Sequence, residues 1–407
     1  MNFGFVSTRF AGTDGVSLES MKWAAVLERA GHRCYWFSGL NDRPAASARV
    51  VPEAHFAHPR ITSIDARVWH RDSVDPDLPA EVDDLRSHLG SALDGFVRDF
   101  AIDVLVPQNA ITIPMHLPLG LALADFIRSH DFPTIAHHHD FHWERERFAG
   151  GAARPWLDEA FPPSHPSLVH AVIHSRAARD LRERLGLDAV LIPNVMDFAS
   201  APPPPARSAA DVREAIGLAG DDRLILQPTR VVPRKGIEHA IDLVHQLDDP
   251  RNKLVVSHEA GDEGLAYRDQ LIALAGEKSV DLRFLDPGAP GSPTLDELYH
   301  LADLVTFPSL YEGFGNALLE AVWFRKPVLV NRYPVFRTDI EPCGFDFIVI
   351  DGAIDDPSVA AAAAILEDPS AADAAVEKNY AIAATHFSYE VVEARLGELL
   401  KRLGLSL

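Results

Sequence analysis

The sequence contains few cysteines and no long apolar run. Two cysteines, Cys34 and Cys343, occur among 407 residues, which is too few for a disulfide framework or a thiolate zinc site. Such scarcity is typical of reducing compartments. No segment reaches the roughly 18 apolar residues of a membrane helix, and residues 1–8 lack the pattern of a secretory leader. We therefore predict a cytoplasmic protein with no integral membrane association.

Positive charge is also scarce. Lysine and arginine total 38 against 59 aspartates and glutamates, so the formal net charge is −21. This charge repels nucleic acids and anionic lipid surfaces, and we expect no nucleic-acid partner. An anionic substrate would need a local group of basic side chains.

The chain is longer than a single core of about 250 to 300 residues, and 47% of it is hydrophobic. Alternating strand and helix patterns predict two α/β domains, each with a parallel sheet. The predicted strands are 3–7, 33–38, 104–107, 134–137, 169–174, 224–228, 253–257, 281–285, 304–307 and 327–331. The predicted helices are 17–30, 85–100, 119–128, 237–247, 264–275, 294–302, 316–324, 359–366 and 389–403. A proline-rich run at 201–208 can continue neither element, and we place the interdomain linker there.

A basic loop follows the first strand of the second half. It carries Arg230 and Lys235 at the edge of a parallel sheet where ligands bind, just before a helix N-terminus. Arginine binds phosphate oxygens in bidentate fashion and lysine acts as a point charge. The loop therefore predicts a diphosphate site, while a solvated basic turn remains the alternative.

A second loop in the same half holds two carboxylates eight residues apart, Glu312 and Glu320. Glu320 lies in a predicted helix, where it can accept hydrogen bonds from the cis-diol of a ribose, and Glu312 can do the same for sugar hydroxyls. Glycines allow the backbone to approach a ligand, and free amides at the helix start can face its phosphates. A surface role or an interaction with the helix dipole is the alternative for each carboxylate alone.

Histidines are dense between residues 136 and 147. Because successive strand residues point to opposite sides, only His137 and His139 can share a direction. We predict no metal site here. One interpretation of His139 is a buried histidine that is hydrogen-bonded within the protein and binds no ligand.

Together these motifs resemble the family-four retaining glycosyltransferases of the GT-B fold. The residues that carry the resemblance span nearly the whole chain: the Gly12 to Gly15 loop, His139 with Asp140, Ser175, Asn194 within 192–197, Arg230, Lys235, Glu312 and Glu320. The resemblance implies two Rossmann-like domains facing a central cleft. The N-terminal domain, 1–200, would bind the acceptor and carry 388–407 packed back on it. The C-terminal domain, 209–387, would bind the nucleotide sugar.

The resemblance also implies residue roles. Arg230 and Lys235 would hold the diphosphate, Glu320 the ribose, and Glu312 the donor sugar, with His139 beside it. The nucleotide-sugar site would further include Gly15, Asn194, Phe314, Gly315 and Asn316. Two departures from the family pattern are Gly-Thr-Asp-Gly at 12–15, and 258–262 in place of Gly-x-Gly.

We therefore predict transfer of a hexose, with retention, from a UDP-glucose or GDP-mannose type donor to a hydroxyl of a small acceptor. The nucleotide sugar is a co-substrate, no cofactor is required, and a divalent metal is optional. Residues 69–71 and 143–147, rich in tryptophan and arginine, suggest an anionic, glycerate-type acceptor. An epimerase, a phosphorylase and a non-catalytic GT-B binding module are the alternatives. No oligomeric state follows from the sequence.

Overall fold

The computed structural model describes residues 1–12, 14–258 and 265–407. The chain divides into two compact units. The first consists of Met1–Asn194 together with Tyr389–Leu407, and the second of Val195–Ser388.

The first unit is built on a parallel sheet of seven strands in the order β5-β3-β1-β6-β7-β8-β9, while β2 pairs with β4. Its strands are β1 (Asn2–Val6), β2 (Arg9–Phe10), β3 (Arg33–Ser38), β4 (Leu40–Asn41), β5 (Ala48–Val50), β6 (Val104–Pro107), β7 (Thr134–His138), β8 (Leu168–Val172) and β9 (Ala189–Leu191). The helices that alternate with them are α1 (Gly15–Arg29), α2 (Pro59–Val68), α3 (Leu78–Asp99), α4 (Leu117–His130), α5 (Arg154–Ala160) and α6 (Ser175–Leu185).

The second unit contains a parallel sheet of six strands in the order β12-β11-β10-β13-β14-β15. Its helices are α7 (Ala209–Ala215), α8 (Ile237–Leu247), α9 (Ala266–Glu277), α10 (Leu295–Leu301), α11 (Asn316–Trp323), α12 (Asp356–Glu367) and α13 (Asp373–His386). Its strands are β10 (Arg223–Gln227), β11 (Asn252–Val256), β12 (Leu282–Phe284), β13 (Leu304–Phe307), β14 (Val328–Asn331) and β15 (Ile348–Ile350).

The C-terminal helix α14 (Tyr389–Arg402) belongs to the first unit, where it packs against α1. The guanidinium of Arg29 lies 4.9 Å from the centroid of the Tyr389 ring. A cation above an aromatic face is attracted by the quadrupole of the ring, and this contact fixes the start of α14 on α1.

The central strands of both sheets are short, fully buried and mostly apolar. All four residues of β6, β13 and β14 are buried, as expected where helices cover both faces of a parallel sheet. Helix starts are set by local caps: Thr294 and Glu297 form a capping box on α10, and Asp355 accepts the amide of Ser358 on α12. Such caps satisfy amides that have no partner within the helix.

The strand order reverses once in each sheet. In the first unit the reversal lies between β1 and β6, and in the second between β10 and β13. Loops that leave the carboxyl ends of the two strands at such a point diverge and leave a crevice, where open α/β sheets bind their ligands. The loops after β10 and β13 are the two that the sequence motifs occupy.

The proline run at 201–208 lies in the second unit, since the chain passes between units at Asn194 and Val195. His300 Nε2 is 2.7 Å from the carbonyl of Pro203, and Arg207 donates to the buried carboxylate of Glu297 at 2.7 Å. The boundary therefore differs from the linker predicted at 201–208. Composition shows that prolines cannot extend a helix or strand, but it does not show which surface they pack on.

None of the helices in the described part of the chain combines the length and the apolar character that crossing a bilayer requires. The predicted helix 264–275 is α9, which begins at Ala266, and residue 264 is outside the described residues.

Candidate active site

Two main-chain contacts join the loops that follow β10 and β13. The amide of Leu310 donates to the carbonyl of Arg234 at 2.8 Å. Gly236 has φ +60°, and a Cβ there would lie 2.4 Å from the carbonyl oxygen of Pro308. Glycine is needed at this position both for its φ and for the close approach of the second loop. These contacts fix the distance between the side chains of the two loops.

A buried carboxylate with two cationic partners lies where the loops meet. Lys235 Nζ donates to Glu312 Oε1, and Arg234 Nη1 donates to Glu312 Oε2 at 3.2 Å. Lys235 is 9% exposed and Glu312 is 7% exposed. Charges removed from water this far are stable only when paired, so the second unit maintains this cluster at a cost in desolvation.

Burial is the largest influence on the pKa of Lys235 and lowers it, with the neighbouring charges of Arg234 and Arg230 adding to the decrease. The charge of Glu312 opposes this decrease. The Lys235 ammonium also lies 5.7 Å from the centroid of the Phe307 ring. Arg230 is exposed on the same loop. Because its charge lowers the pKa of Lys235, the two predicted diphosphate ligands act on each other electrostatically.

Helix α11 begins in the loop after β13. Gly315 precedes it with φ +123°, and a Cβ there would lie 2.7 Å from the hydroxyl of Tyr333. That hydroxyl donates to the carbonyl of Phe314, which is buried. Asn316 is the first helical residue. The amides at this end carry the partial positive charge of a helix N-terminus.

Glu320 lies on α11, one turn after its start, and is half-buried. The buried hydroxyl of Tyr299 donates to Glu320 Oε2 at 3.1 Å. Burial raises the pKa of Tyr299, and the charge of Glu320 raises it further. The phenol therefore stays protonated and orients the carboxylate that the sequence assigns to the ribose.

Two buried side-chain amides near these loops were given no role from the sequence. Gln227 joins the ends of β10 and β13, because Nε2 donates to Thr229 Oγ1 at 2.8 Å and Oε1 accepts from Thr306 Oγ1 at 2.7 Å. Asn331, at the end of β14, donates to the carbonyl of Ser309 at 3.0 Å. The available signal was a polar side chain at the last position of a buried strand.

His258, two residues after the end of β11, is a third residue to which sequence reasoning gave no role. Its Nδ1 lies 2.8 Å from Ser257 Oγ. Burial lowers the pKa of His258 most, and the charges of Lys235 and Arg230 lower it further. The imidazole therefore lies near the basic loop. The sequence has 258–262 where the family pattern has Gly-x-Gly, and residues 259–262 of this segment are outside the described residues.

In the first unit, His139 follows β7 and is buried. Its Nε2 lies 3.3 Å from Gln108 Oε1, which also receives His137 Nδ1 at 2.8 Å. Burial lowers the pKa of His139 to about 4, so the ring is neutral at pH 7. The Nε2 to Oε1 distance is that of a hydrogen bond in the tautomer that carries the His139 proton on Nε2.

The histidines alternate as the strand pattern predicts. The rings of His137 and His139 are 4.3 Å apart, whereas His138 Nε2 bonds to His170 Nδ1 at 2.8 Å and its Nδ1 to Thr112. Across residues 1–12, 14–258 and 265–407, no group of three or more histidine, cysteine, aspartate or glutamate side chains is arranged to hold a metal ion.

Gly15 is the first residue of α1, and Asn194 is buried at the last position of the first segment. The Asp14 carboxylate accepts the amides of Val16 and Ser17, both at 3.1 Å. Arg9 Nη2 lies 3.3 Å from the same carboxylate. The start of α1 is therefore capped by Asp14 of the preceding loop. Residue 13 of this loop lies outside the described residues.

The tryptophans considered for the acceptor pack internally. Trp69 is 7% exposed, and its Nε1 donates to Asp65 at 3.0 Å. Trp143 stacks on Phe141 with ring centroids 4.4 Å apart. Trp69 therefore does not present the open indole face that a sugar platform needs.

The arginines of the same stretch are paired as well. Arg145 donates to Asp140, and Arg147 Nη2 lies 3.5 Å from Asp65 Oδ2. Glu144, in the same stretch, accepts the amide of Phe141 at 2.7 Å.

Comparison with known proteins identifies a family model and two relatives of similar sequence. The family model described as Glycosyl transferases group 1 matches residues 209–381. The mannosylglucosylglycerate synthase of Thermotoga maritima is 30% identical, with 99% of each chain covered. The protein of the same name from Petrotoga mobilis is 28% identical, with 86% of each chain covered.

Two solved structures show the same two-domain fold. Sucrose-phosphate synthase from Thermosynechococcus elongatus has a TM-score of 0.68 at 16% identity, covering 99% of both chains. Anabaena HepE, in complex with UDP and glucose, has a TM-score of 0.68 at 15% identity, covering 98% of this chain and 99% of the other. Given the end-to-end similarity to the Thermotoga maritima enzyme and the shared fold, the chain belongs to the group 1 glycosyltransferases, the family-four enzymes of the GT-B fold.

Proposed function

We propose that the protein transfers a mannosyl group, with retention of configuration, from GDP-mannose to a hydroxyl of glucosylglycerate. The observation that carries the proposal is the convergence of Arg230, Lys235 and Glu312 on joined loops at the strand reversal of the second unit, with Glu320 on the helix that follows. The end-to-end similarity to a mannosylglucosylglycerate synthase supports this choice of donor sugar and acceptor.

The cations would act on the leaving group. Breaking the bond between sugar C1 and the phosphate oxygen leaves an oxocarbenium-like sugar and a diphosphate that gains negative charge. Lys235, Arg230 and the amides at the start of α11 supply fixed positive charge at that stage, which lowers the transition state more than the ground state. These groups perform the task of a divalent metal, so we propose that activity persists in EDTA.

Retention requires attack on the face that the leaving group departs from. In the proposed reaction the acceptor oxygen bonds to C1 as the C1–O bond to phosphate breaks, and a diphosphate oxygen takes the acceptor's proton. Glu320 would hold the ribose diol and Glu312 the hydroxyls of the mannose. His139, whose imidazole is neutral, would form a hydrogen bond with a sugar hydroxyl.

An anionic acceptor needs a cation in the first unit, and we propose Arg9. Its side chain is 37% exposed, follows β1 at the strand reversal, and lies 5.4 Å from the centroid of the Phe56 ring. Arginine binds a carboxylate in bidentate fashion. We propose that it binds the glycerate carboxylate while Asp14 continues to cap α1.

A donor and acceptor panel tests the proposal. GDP-mannose and UDP-glucose are each combined with glucosylglycerate, glucosylglycerol and glucose, and products are identified by mass spectrometry and by the anomeric proton signal. We expect GDP-mannose with glucosylglycerate to give one α-linked mannosyl product and free GDP. Equal turnover of glucosylglycerol would contradict an anionic acceptor, and GDP release without any transfer product would contradict transferase activity on this acceptor.

A further inference from the structure

Arg234 is a basic residue to which the family resemblance assigns no role, yet it shares Glu312 with Lys235. Arg234 donates to Glu312 Oε2 at 3.2 Å and to the Tyr311 carbonyl at 3.3 Å, while Lys235 occupies Glu312 Oε1. We propose that Arg234 is a positioning residue that holds the Glu312 carboxylate for the donor sugar when Lys235 engages the diphosphate. This inference rests on the proposed function.

The two cations differ in their surroundings. The Lys235 side chain is 11% exposed and its ammonium lies 5.7 Å from the Phe307 ring centroid, whereas the Arg234 side chain is 39% exposed. Lysine is a compact point charge with three donors, and arginine presents a planar fork. Lys235 can therefore turn toward a phosphate, while Arg234 keeps its hydrogen bonds to Glu312 and to the Tyr311 carbonyl.

A second partner is necessary because Glu312 is only 7% exposed. If Lys235 alone neutralised the carboxylate, donor binding would leave a buried charge with one fewer partner, which is costly. With Arg234 on the other oxygen, the carboxylate keeps an ion pair and a fixed orientation. A carboxylate in that state accepts hydrogen bonds from sugar hydroxyls through its remaining lone pairs.

The main chain sets the Arg234 geometry. The carbonyl of Arg234 accepts the amide of Leu310 at 2.8 Å, and Gly236 lies against Pro308. The guanidinium is thus held opposite the loop that carries Glu312 by two contacts that involve neither charged group. Loss of the guanidinium should therefore leave the path of both loops intact.

The test separates nucleotide binding from sugar positioning. For wild type, Arg234→Gln and Arg234→Lys, we measure the Kd of GDP by calorimetry and kcat/KM for GDP-mannose with saturating glucosylglycerate. We expect Arg234→Gln to lower kcat/KM about tenfold, the size of a lost hydrogen bond to a charged group, while the Kd of GDP changes less than twofold. Arg234→Lys should recover part of the loss.

A double-mutant cycle and a matched control complete the design. In a Glu312→Gln background, Arg234→Gln should cause no further loss, because the two residues act as one unit. Arg251→Gln removes a guanidinium paired with Asp249 before β11 and should leave both measurements unchanged. Unchanged kcat/KM in Arg234→Gln, or a parallel loss of GDP affinity, would overturn this inference alone. An inactive wild type would overturn the proposed function instead.

Discussion

Under the proposed function Lys235 meets two opposing requirements, because burial lowers its pKa whereas binding a phosphate would require its charge. Glu312 resolves them by stabilising the ammonium in the free protein. A diphosphate would take over that stabilisation when it binds. Under the proposed function, the Lys235 ammonium would then be released from Glu312 and become available to the diphosphate.

Replacement of Lys235 by alanine should reduce kcat by about 10² to 10³, as removal of one preorganised donor to a developing charge does. Glu312 keeps Arg234 as a partner in this variant, so the fold should survive. Lys278→Ala is the matched control, because Lys278 pairs with Asp242 on the helices of the same unit. A drop of less than fivefold in steady-state kcat for Lys235→Ala would be incompatible with leaving-group stabilisation.

Replacement of Arg9 by glutamine should raise the KM for glucosylglycerate by about tenfold while the KM for GDP-mannose stays the same, because a charge-assisted hydrogen bond is lost. The neutral acceptor glucosylglycerol should be equally poor with both proteins. Initial rates at varied acceptor concentration measure the effect. An equal rise in both KM values would point to a damaged fold of the 9–15 loop.

The types and spacing of the charged residues predict ligands for a diphosphate and its sugar, and that assignment stays a prediction. The ion pair between Lys235 and Glu312 could not be predicted from the sequence, because it joins residues 77 positions apart. Gln227 and Asn331 were missed for a related reason. A buried amide shows its function only through partners on neighbouring strands.

Among the elements, those with strong burial patterns were predicted closely. The bounds of β3, β6, α8 and β13 equal the predicted ranges. Ten elements among the described residues were not predicted from the sequence: strands β2, β4, β5, β9 and β15, and helices α2, α5, α6, α7 and α13. Strand β15 has three residues at the sheet edge, and α13 has two buried positions in fourteen residues, so neither gives a clear apolar period.

The loop after β10 depends on Gly236, and Gly236→Ala should destabilise the second unit. A left-handed φ costs a side chain about 1 to 2 kcal/mol, and the new Cβ would meet the Pro308 carbonyl at 2.4 Å. We expect a lower thermal midpoint and weaker GDP binding. Gly220→Ala, at an exposed position with no heavy atom within 4 Å of the new Cβ, is the control. Wild-type GDP affinity in Gly236→Ala would show that the loops need not touch.

For the whole molecule, buried histidines predict sensitivity to acid. Burial lowers the pKa of His116, His139 and His170 to about 4, against an ordinary value near 6.5. Between these values the unfolded chain binds protons that the folded chain excludes, so stability is full above pH 6.5 and falls toward pH 4. At pH 5 each histidine should cost about 2 kcal/mol. Glu297, with its pKa lowered to about 2 by Arg207, adds a loss only below about pH 4.5.

Urea unfolding at pH 7.5, 6 and 5 measures this dependence. The slope of the unfolding free energy against pH should correspond to several protons, and His170→Gln should reduce it by about one. A flat profile between pH 7.5 and 5 would mean that these imidazoles accept protons in the folded state.

The most direct test of the central claim is a crystal structure of the protein with GDP. We expect the diphosphate to lie between the β10 and β13 loops, with Arg230 and Lys235 within hydrogen-bond distance of its oxygens and Glu320 on the ribose hydroxyls. Lys235 should have moved from Glu312 toward phosphate, with Arg234 still on the carboxylate. A diphosphate bound elsewhere, or one that leaves the Lys235 to Glu312 pair intact and makes no contact with Arg230, would contradict it.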